Sequence, residues 1–172
     1  YSISATDASL AANTANNTGN WFYIKKPAPV VIIGTGTSSG YYLPCYGSYN
    51  YGWSAQVYSS TEIGMSGVID SLFFFVTNAT TSNMTNQRMM IAEVPDSVFN
   101  NSEMPDSASM TSFFAGDVTW GGPGWIKFST ASSFYYTGAG HLLIYWINRD
   151  GTWLNNAYPQ FQYTATAASN KA

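Results

Sequence analysis

Short runs of β-branched and aromatic residues recur along this chain, and glycine, proline or asparagine stands between them. No segment places apolar residues at a 3.6-residue period over three turns, the pattern of an amphipathic helix. The strand candidates, in chain order, are Tyr41–Cys45, Ala55–Tyr58, Val68–Val76, Gln87–Val94, Phe113–Trp120, Trp125–Phe128, Leu142–Asn148 and Gln160–Thr164. About eight strands without helices predict an all-β fold, an antiparallel β-sandwich or jelly roll.

The length of 172 residues favours one domain with extensions over two domains. The chain begins with a polar segment rich in Ala, Asn, Ser and Thr, and Lys25-Lys26-Pro27-Ala28-Pro29 then has the composition of an extended spacer. We therefore expect an extended N-terminal arm over residues 1–32, a jelly-roll-like sandwich over 33–166 and a C-terminal tail over 167–172.

Two of the predicted strands are apolar on both faces. Within Val68–Val76, Leu72 and Phe74 lie on one side of the strand, and Phe73 and Phe75 lie on the other. The strand that starts at His141 has the same property, since Leu142, Ile144 and Trp146 alternate with Leu143, Tyr145 and Ile147. One face of each strand must be covered by something outside the sandwich, or it is an interaction site. Which face belongs to the core stays open, because a β-bulge near Asp70 would exchange the two faces.

The distributions of charged and of apolar residues each argue against one class of protein. Charged residues are only 9% of the chain, against about 25% in an average soluble protein. The net charge is −3 and the six basic residues are scattered, so the basic patch of a nucleic-acid-binding protein is missing. No run of 18 apolar residues exists, so we expect no membrane span.

The residues that carry chemistry do not form a catalytic pattern. His141 is the single histidine and Cys45 the single cysteine, so we expect no disulfide within the chain and no metal site built on them. Gly36-Thr37-Ser38-Ser39-Gly40 fits the G-x-S-x-G pattern of hydrolases, but no helix signal follows Ser38. We interpret this segment as a flexible loop and expect neither enzymatic activity nor a cofactor.

Two stretches carry a family resemblance. They are IGTGTSSGYYLP…YNYGWSAQVYSSTEIGMSGVIDSLFFFV and FFAGDVTWGGPGWIKFSTASSFYYTGAGHLLIYWINRDGTW, which lie within residues 33–153. They resemble a β-rich, jelly-roll-like domain of secreted, surface-attached Bacteroidetes proteins, which the type IX (gliding-associated) secretion system exports. The resemblance implies an extracellular or cell-surface location, often beside adhesins, proteases and fibronectin-like modules. It implies no particular activity.

The resemblance also implies sites of modification. Such organisms attach O-glycans at Asp-Ser or Asp-Thr followed by a small or aliphatic residue. Asp96-Ser97-Val98 and Asp106-Ser107-Ala108 match this motif in a polar loop, so Ser97 and Ser107 are the predicted glycosylation sites. Asp70-Ser71-Leu72 also matches, but it lies in a predicted strand.

An aromatic cluster follows the Gly/Ser segment. The rings that could stack on a sugar are Tyr46, Tyr49, Tyr51 and Trp53, with Tyr41 and Tyr42 close in sequence. Aromatic rings with polar tips suit sugar stacking and protein interfaces equally, and they also occur in ordinary cores. All three interpretations stay open at this point.

Our first functional hypothesis is a non-enzymatic structural subunit of an extracellular fibre or cell-surface assembly, whose partners are copies of itself. The arm would add to an exposed sheet edge of a neighbour or cover its apolar face. The predicted interface residues are Trp21, Phe22, Ile24, Val30, Ile32, Phe73, Phe75, Tyr145 and Ile147. The alternative is a carbohydrate-binding or adhesin module of a secreted multidomain protein, with glycans as partners.

Overall fold

A computed structural model describes residues 29–97, 105–155 and 157–165. The strands are β1 (Ser38–Gly40), β2 (Gly52–Tyr58), β3 (Gly67–Val76), β4 (Asn83–Val94), β5 (Thr111–Thr119), β6 (Gly124–Tyr136), β7 (His141–Asn148) and β8 (Phe161–Tyr163). The helical segments are α1 (Ser60–Ile63) and a 3-10 turn (Ser107–Ser109). The chain divides after Val31 into two units, and all these elements belong to the second.

The strands form two four-stranded antiparallel sheets. Sheet A has the order β1-β8-β3-β6, and sheet B has the order β2-β7-β4-β5. The pairs β1–β8, β2–β7, β3–β6 and β4–β5 are thus nested inside one another and alternate between the sheets. This is the strand order of an eight-stranded jelly roll, so the predicted all-β sandwich is confirmed.

An irregularity in the pairing of β3 with β6 decides which face of β3 belongs to the core. The register between β3 and β6 shifts between Ile69 and Ser71, where Asp70 lies opposite the four β6 residues 130–133. Ile69 and Leu72 therefore both face the core, although three positions separate them. Phe73 and Phe75 lie on the outer face. The sequence pattern allows either face, and this shift in register settles which one faces the core.

The core between the sheets is centred on aromatic rings. The ring of Trp146 lies 5.1 Å from Phe128, 6.0 Å from Phe74 and 6.0 Å from Trp120. Other buried apolar side chains of this core include Val76, Met84, Met89, Ile91, Phe113, Val118, Leu142, Ile144 and Phe161. Trp146 lies on β7 of sheet B and contacts the rings of Phe74 and Phe128 from sheet A, so it joins the two layers.

A hydrogen-bonded polar group lies at one end of this core. The indole Nε1 of Trp146 donates to Gln87 Oε1 at 2.9 Å, and Gln87 Nε2 donates to Asn148 Oδ1 at 2.6 Å. Asn148 Nδ2 then donates to the backbone oxygen of Tyr49 at 2.9 Å. Buried polar groups are costly unless they are paired. This chain of hydrogen bonds therefore fixes the end of the sandwich at the loop between β1 and β2, which contains Tyr49.

The first predicted strand, Tyr41–Cys45, is wrong. The strand is Ser38–Gly40, inside the segment that we interpreted as a flexible loop. It pairs with β8, and just before it the backbone nitrogen of Gly36 donates to Thr164 Oγ1 at 2.7 Å. The tyrosines favoured a strand by propensity alone, but their segment contains Pro44 and crosses from one sheet to the other, so it bends instead.

The short helix α1 was not predicted. Its start is a capping box in which Ser59 and Glu62 each bond to the other's backbone. The helix ends at Gly64, whose φ of 69° is left-handed. The Ser-x-x-Glu spacing was visible in the sequence, but one helical turn is too short to show an apolar period.

Glu93 holds the turn between β6 and β7. Its carboxylate accepts hydrogen bonds from the nitrogen of Gly140 at 2.6 Å, from Thr137 Oγ1 at 2.7 Å and from the nitrogen of Thr137 at 3.0 Å. These bonds lower the pKa of the Glu93 carboxyl. The bond from Gly140 has the largest effect, and the bond from the Thr137 side chain the next largest.

This lowered pKa gives a pH-dependent contribution to stability. It is fully present above the ordinary pKa of a glutamate and is lost as the pH falls through the lower pKa of the folded protein. Glu93→Gln should therefore melt at a lower temperature than the wild type at neutral pH, and the difference should vanish in acid. Thermal melts over a pH series measure this, and a difference that is independent of pH would contradict it.

The described residues contain no helix that is long and apolar enough to cross a membrane.

Candidate functional site

The loop between β1 and β2 gathers several tyrosine rings into one cluster. Tyr46 stands at its centre, with ring centroids 5.1 Å from Tyr42, 5.2 Å from Tyr41 and 5.1 Å from Tyr49. On its other side, Tyr158 lies 5.6 Å from Tyr46. Most of these pairs meet edge to face or tilted, the geometry that aromatic quadrupoles favour. The loop is therefore held by its own side chains.

Backbone hydrogen bonds tie this loop to the segment that follows β7. The nitrogen of Leu154 donates to the oxygen of Gly47 at 2.9 Å, and the nitrogen of Gly151 donates to the oxygen of Asn50 at 2.9 Å. Gly47 also packs tightly, since an added Cβ would lie 2.9 Å from a Leu154 methyl carbon and 3.0 Å from the Cβ of Tyr158. These contacts fix the position of the loop against the segment that follows β7.

A pocket of about 210 Å³ opens beside the cluster, and we call it the tyrosine pocket. It is lined by Tyr42, Pro44, Cys45, Tyr46, Tyr49, Gly52, Trp53, Ser54 and Trp146. Tyr49 and Trp53 are 63% and 44% exposed, so the rim offers ring surface to solvent.

The tyrosine pocket is electrically neutral. None of its described lining residues is an acid, a lysine, an arginine or a histidine. Burial raises the pKa of the Cys45 thiol, so it stays protonated at neutral pH. The hydrogen bond with Tyr41 raises the pKa of Tyr42, which stays a neutral phenol. The chemistry of this pocket is therefore stacking and neutral hydrogen bonding.

The structure brings together three of the four predicted sugar-stacking residues. Tyr46, Tyr49 and Trp53 line the tyrosine pocket, whereas Tyr51 is not part of the lining. Its hydroxyl lies near Gly151 instead. Tyr42 lines the pocket but was not among the four. Residue type identified the loop, but only the fold determines which way each ring of a loop points.

A second aromatic surface lies on the outer face of sheet A, and we call it the aromatic face. It consists of Val68, Phe73, Phe75, Trp125 and Tyr135, which β3 and β6 contribute. Opposite positions in the register are Val68 and Tyr135, Phe73 and Lys127, and Phe75 and Trp125. Phe73 and Trp125 are 45% and 56% exposed. The predicted interface residue Phe73 is thus accessible, and Phe75 is half-buried against Trp125 at 5.3 Å.

The aromatic face borders an open sheet edge. β6 pairs with β3 on one side and, among the described residues, with no strand on the other. At 13 residues it is the longest of the described strands, and Lys127 is its single charged residue. The Lys127 ammonium lies 5.9 Å from the centre of the Phe73 ring, so this charge is positioned over a ring of the aromatic face.

The predicted interface role of Tyr145 is wrong. Tyr145 is only 1% exposed, because β7 lies between β2 and β4 in sheet B and Trp53 packs edge-on at 6.0 Å. Ile147 is half-buried between Trp53 and Arg88 of the neighbouring strands. The outer face of β7 is therefore largely covered within the chain, unlike that of β3.

The remaining predicted sites divide into described and undescribed residues. Val30 and Ile32 are exposed, whereas Trp21, Phe22 and Ile24 lie outside the described residues. Ser97 and Ser107 are both half-buried, and Ser107 begins the 3-10 turn that Asp106 caps. Their glycosylation stays a prediction, which intact-mass spectrometry of the natively produced protein would check.

Ser38 and His141 are held by other contacts. Ser38 lies on β1 opposite Tyr163 in sheet A, and His141 lies on β7 in sheet B. The Nδ1 of His141 accepts a hydrogen bond from the nitrogen of Ser60 at 3.1 Å. In the described ranges no hydrogen bond joins Ser38 to His141, and no group of three His, Cys, Asp or Glu side chains could hold a metal ion.

No protein family model, no curated protein and no solved structure matches this chain. The resemblance to the Bacteroidetes surface domain therefore stays a prediction, and the two aromatic surfaces carry the functional argument.

Proposed function

We propose that this protein is a non-enzymatic structural subunit that associates with copies of itself in an extracellular or cell-surface assembly. The observation that carries the proposal is the aromatic face beside the open edge of β6. The predicted alternative, a carbohydrate-binding module, rests on the other surface.

The aromatic face has the composition of a contact surface. Exposed apolar side chains are ordinary when they are scattered, but contiguous patches mark interaction sites. Here Phe75 and Trp125 touch each other, and Phe73 stands two positions along the same face. Burying one such ring contributes about 1.5–3 kcal/mol, so two or three of them can dominate a contact.

The edge of β6 adds main-chain hydrogen bonding to this surface. An edge strand presents unpaired N–H and C=O groups, and proteins normally protect it by short length, charge or proline. β6 is long and has one lysine and no proline. An extended segment from another chain could pair along this edge and place alternate side chains on the aromatic face.

The N-terminal arm of a second copy is the segment that we assign to this role. Val30 and Ile32 are 78% and 72% exposed, so this end of the arm presents aliphatic side chains. Trp21, Phe22 and Ile24 provide a second apolar run earlier in the same arm. A contact between the arm of one copy and the sheet of the next is head-to-tail, and such contacts build filaments unless they close into a ring.

The low charge supports close packing of copies. A net charge of −3 over 172 residues gives little repulsion between neighbours. The same scarcity of charge favours a location where glycans at Ser97 or Ser107 could maintain solubility. We therefore propose a location outside the cell for this assembly.

Removing the arm tests this mechanism. A chain that starts at Gly34 should remain monomeric at concentrations at which the full chain forms polymers, because the segment that docks on the neighbour is missing. Sedimentation velocity over a concentration series measures this, and a thermal melt confirms that the sandwich still folds. Polymers of the same size from both chains would refute the role of the arm.

A further inference from the structure

The tyrosine pocket has a shape and a chemistry that self-association does not use. It lies at the end of the sandwich where the β1–β2 loop meets the start of β2. We propose that it binds a single ring of a neutral saccharide. This site is independent of the aromatic face, which lies on the outer side of β3 and β6.

The size of the pocket limits its ligand to one ring. Its volume of about 210 Å³ is below the roughly 300–1,000 Å³ of sites that enclose drug-sized molecules. Proline-rich peptides also bind to aromatic residues, but they need a groove that follows several residues of an extended chain. A compact pocket with aromatic walls suits one sugar ring at the end of a glycan or within it.

The lining matches the two kinds of surface on a sugar ring. The C–H groups on one face of a pyranose carry partial positive charge, and the faces of aromatic rings carry partial negative charge. Tyr49 and Trp53 provide such rings at the rim. The phenol groups of Tyr42 and Tyr46 can donate and accept hydrogen bonds at the polar edge of a sugar.

The absence of charge in the lining selects among saccharides. Among the described lining residues there is no cation to hold a sulfate, a phosphate or a carboxylate. A charged sugar would lose hydration on entry without gaining an ion pair. The pocket should therefore prefer neutral hexoses, pentoses or N-acetylated hexosamines over sulfated or acidic sugars.

The pocket is formed before a ligand arrives. The Tyr49 carbonyl accepts from Asn148, and Gly47 and Asn50 are tied to the segment after β7. The Ser54 hydroxyl donates to the carbonyl of Pro44, and both residues line the pocket. A site that is already ordered loses less conformational entropy on binding, so a small contact area can still give measurable affinity.

The test is a nuclear magnetic resonance titration of the nitrogen-15-labelled full chain. The probes are cellohexaose, maltohexaose, xylohexaose, mannohexaose and chitohexaose, with a heparin hexasaccharide and hexaproline as competing ligand classes. We expect at least one neutral sugar to shift the indole signal of Trp53 and the amide signals of the Tyr42–Tyr49 loop. Tyr49→Ala and Trp53→Ala should each weaken that binding about tenfold or more, as truncation of a central aromatic anchor does.

Tyr51→Ala is the matched control, since Tyr51 is an exposed aromatic of the same loop that does not line the pocket. It should leave the affinity unchanged. Three results would overturn the proposal. The first is that none of the neutral sugars shifts these signals up to its solubility limit. The second is that only heparin or hexaproline binds. The third is that Tyr51→Ala weakens binding as much as Tyr49→Ala.

Discussion

Replacing Phe73 and Trp125 together with serine should leave the sandwich folded and largely abolish self-association. Both rings are about half exposed on the aromatic face, so the monomer loses little core packing. Each ring that no longer enters a contact removes about 1.5–3 kcal/mol. Because 1.4 kcal/mol is tenfold in a dissociation constant, the constant for self-association should rise about a hundredfold or more.

Sedimentation equilibrium gives the dissociation constant, and circular dichroism with thermal melting reports the fold. The matched control is the double variant Tyr51→Ser with Trp153→Ser, which removes two exposed rings that lie elsewhere. It should associate like the wild type. If the control weakens association to the same extent, general loss of exposed aromatics explains the effect and the aromatic face has no special role.

Trp146→Ala should lower the free energy of unfolding by about 3–5 kcal/mol, the usual cost of truncating a buried tryptophan. Trp146 is 1% exposed and packs against Phe74 and Phe128 from sheet A and against Trp120. Its loss also leaves Gln87 Oε1 without the indole donor. A whole domain is stable by only about 5–15 kcal/mol, so the variant would be close to unfolding.

Urea denaturation followed by circular dichroism measures this change. Trp153→Ala is the control, because Trp153 is 58% exposed and its removal should change stability by no more than about 0.5 kcal/mol. A loss below about 1 kcal/mol for Trp146→Ala would mean that the two sheets are not joined through this ring.

The fold could be predicted from the sequence because the longer strands carry their own signal. β3 ends in the apolar run 72–76 and β7 contains the apolar run 142–147, and such runs in a chain without helical periodicity leave few other folds. β1 has only three residues, one of them Gly40, so it has no pattern to detect. β6 is longer than its predicted core, Trp125–Phe128, because serine and threonine continue the strand.

The candidate surfaces could be predicted only in part. The pattern allows Phe73 inside or outside the core, and the register shift beside Asp70 leaves it outside. Tyr145 has the same alternation as Phe73, yet it is buried. Alternation shows that a strand has two apolar faces, but it does not show which neighbours cover each face. That depends on strand order, which local sequence does not encode.

Electron microscopy of the full chain at polymer-forming concentrations tests the central claim most directly. If copies associate head-to-tail through the arm and the aromatic face, the images should show filaments with a regular axial repeat. The Phe73→Ser, Trp125→Ser variant should then appear as single particles under the same conditions. Single particles of monomer size for the full chain, at every concentration up to its solubility limit, would contradict the proposed function.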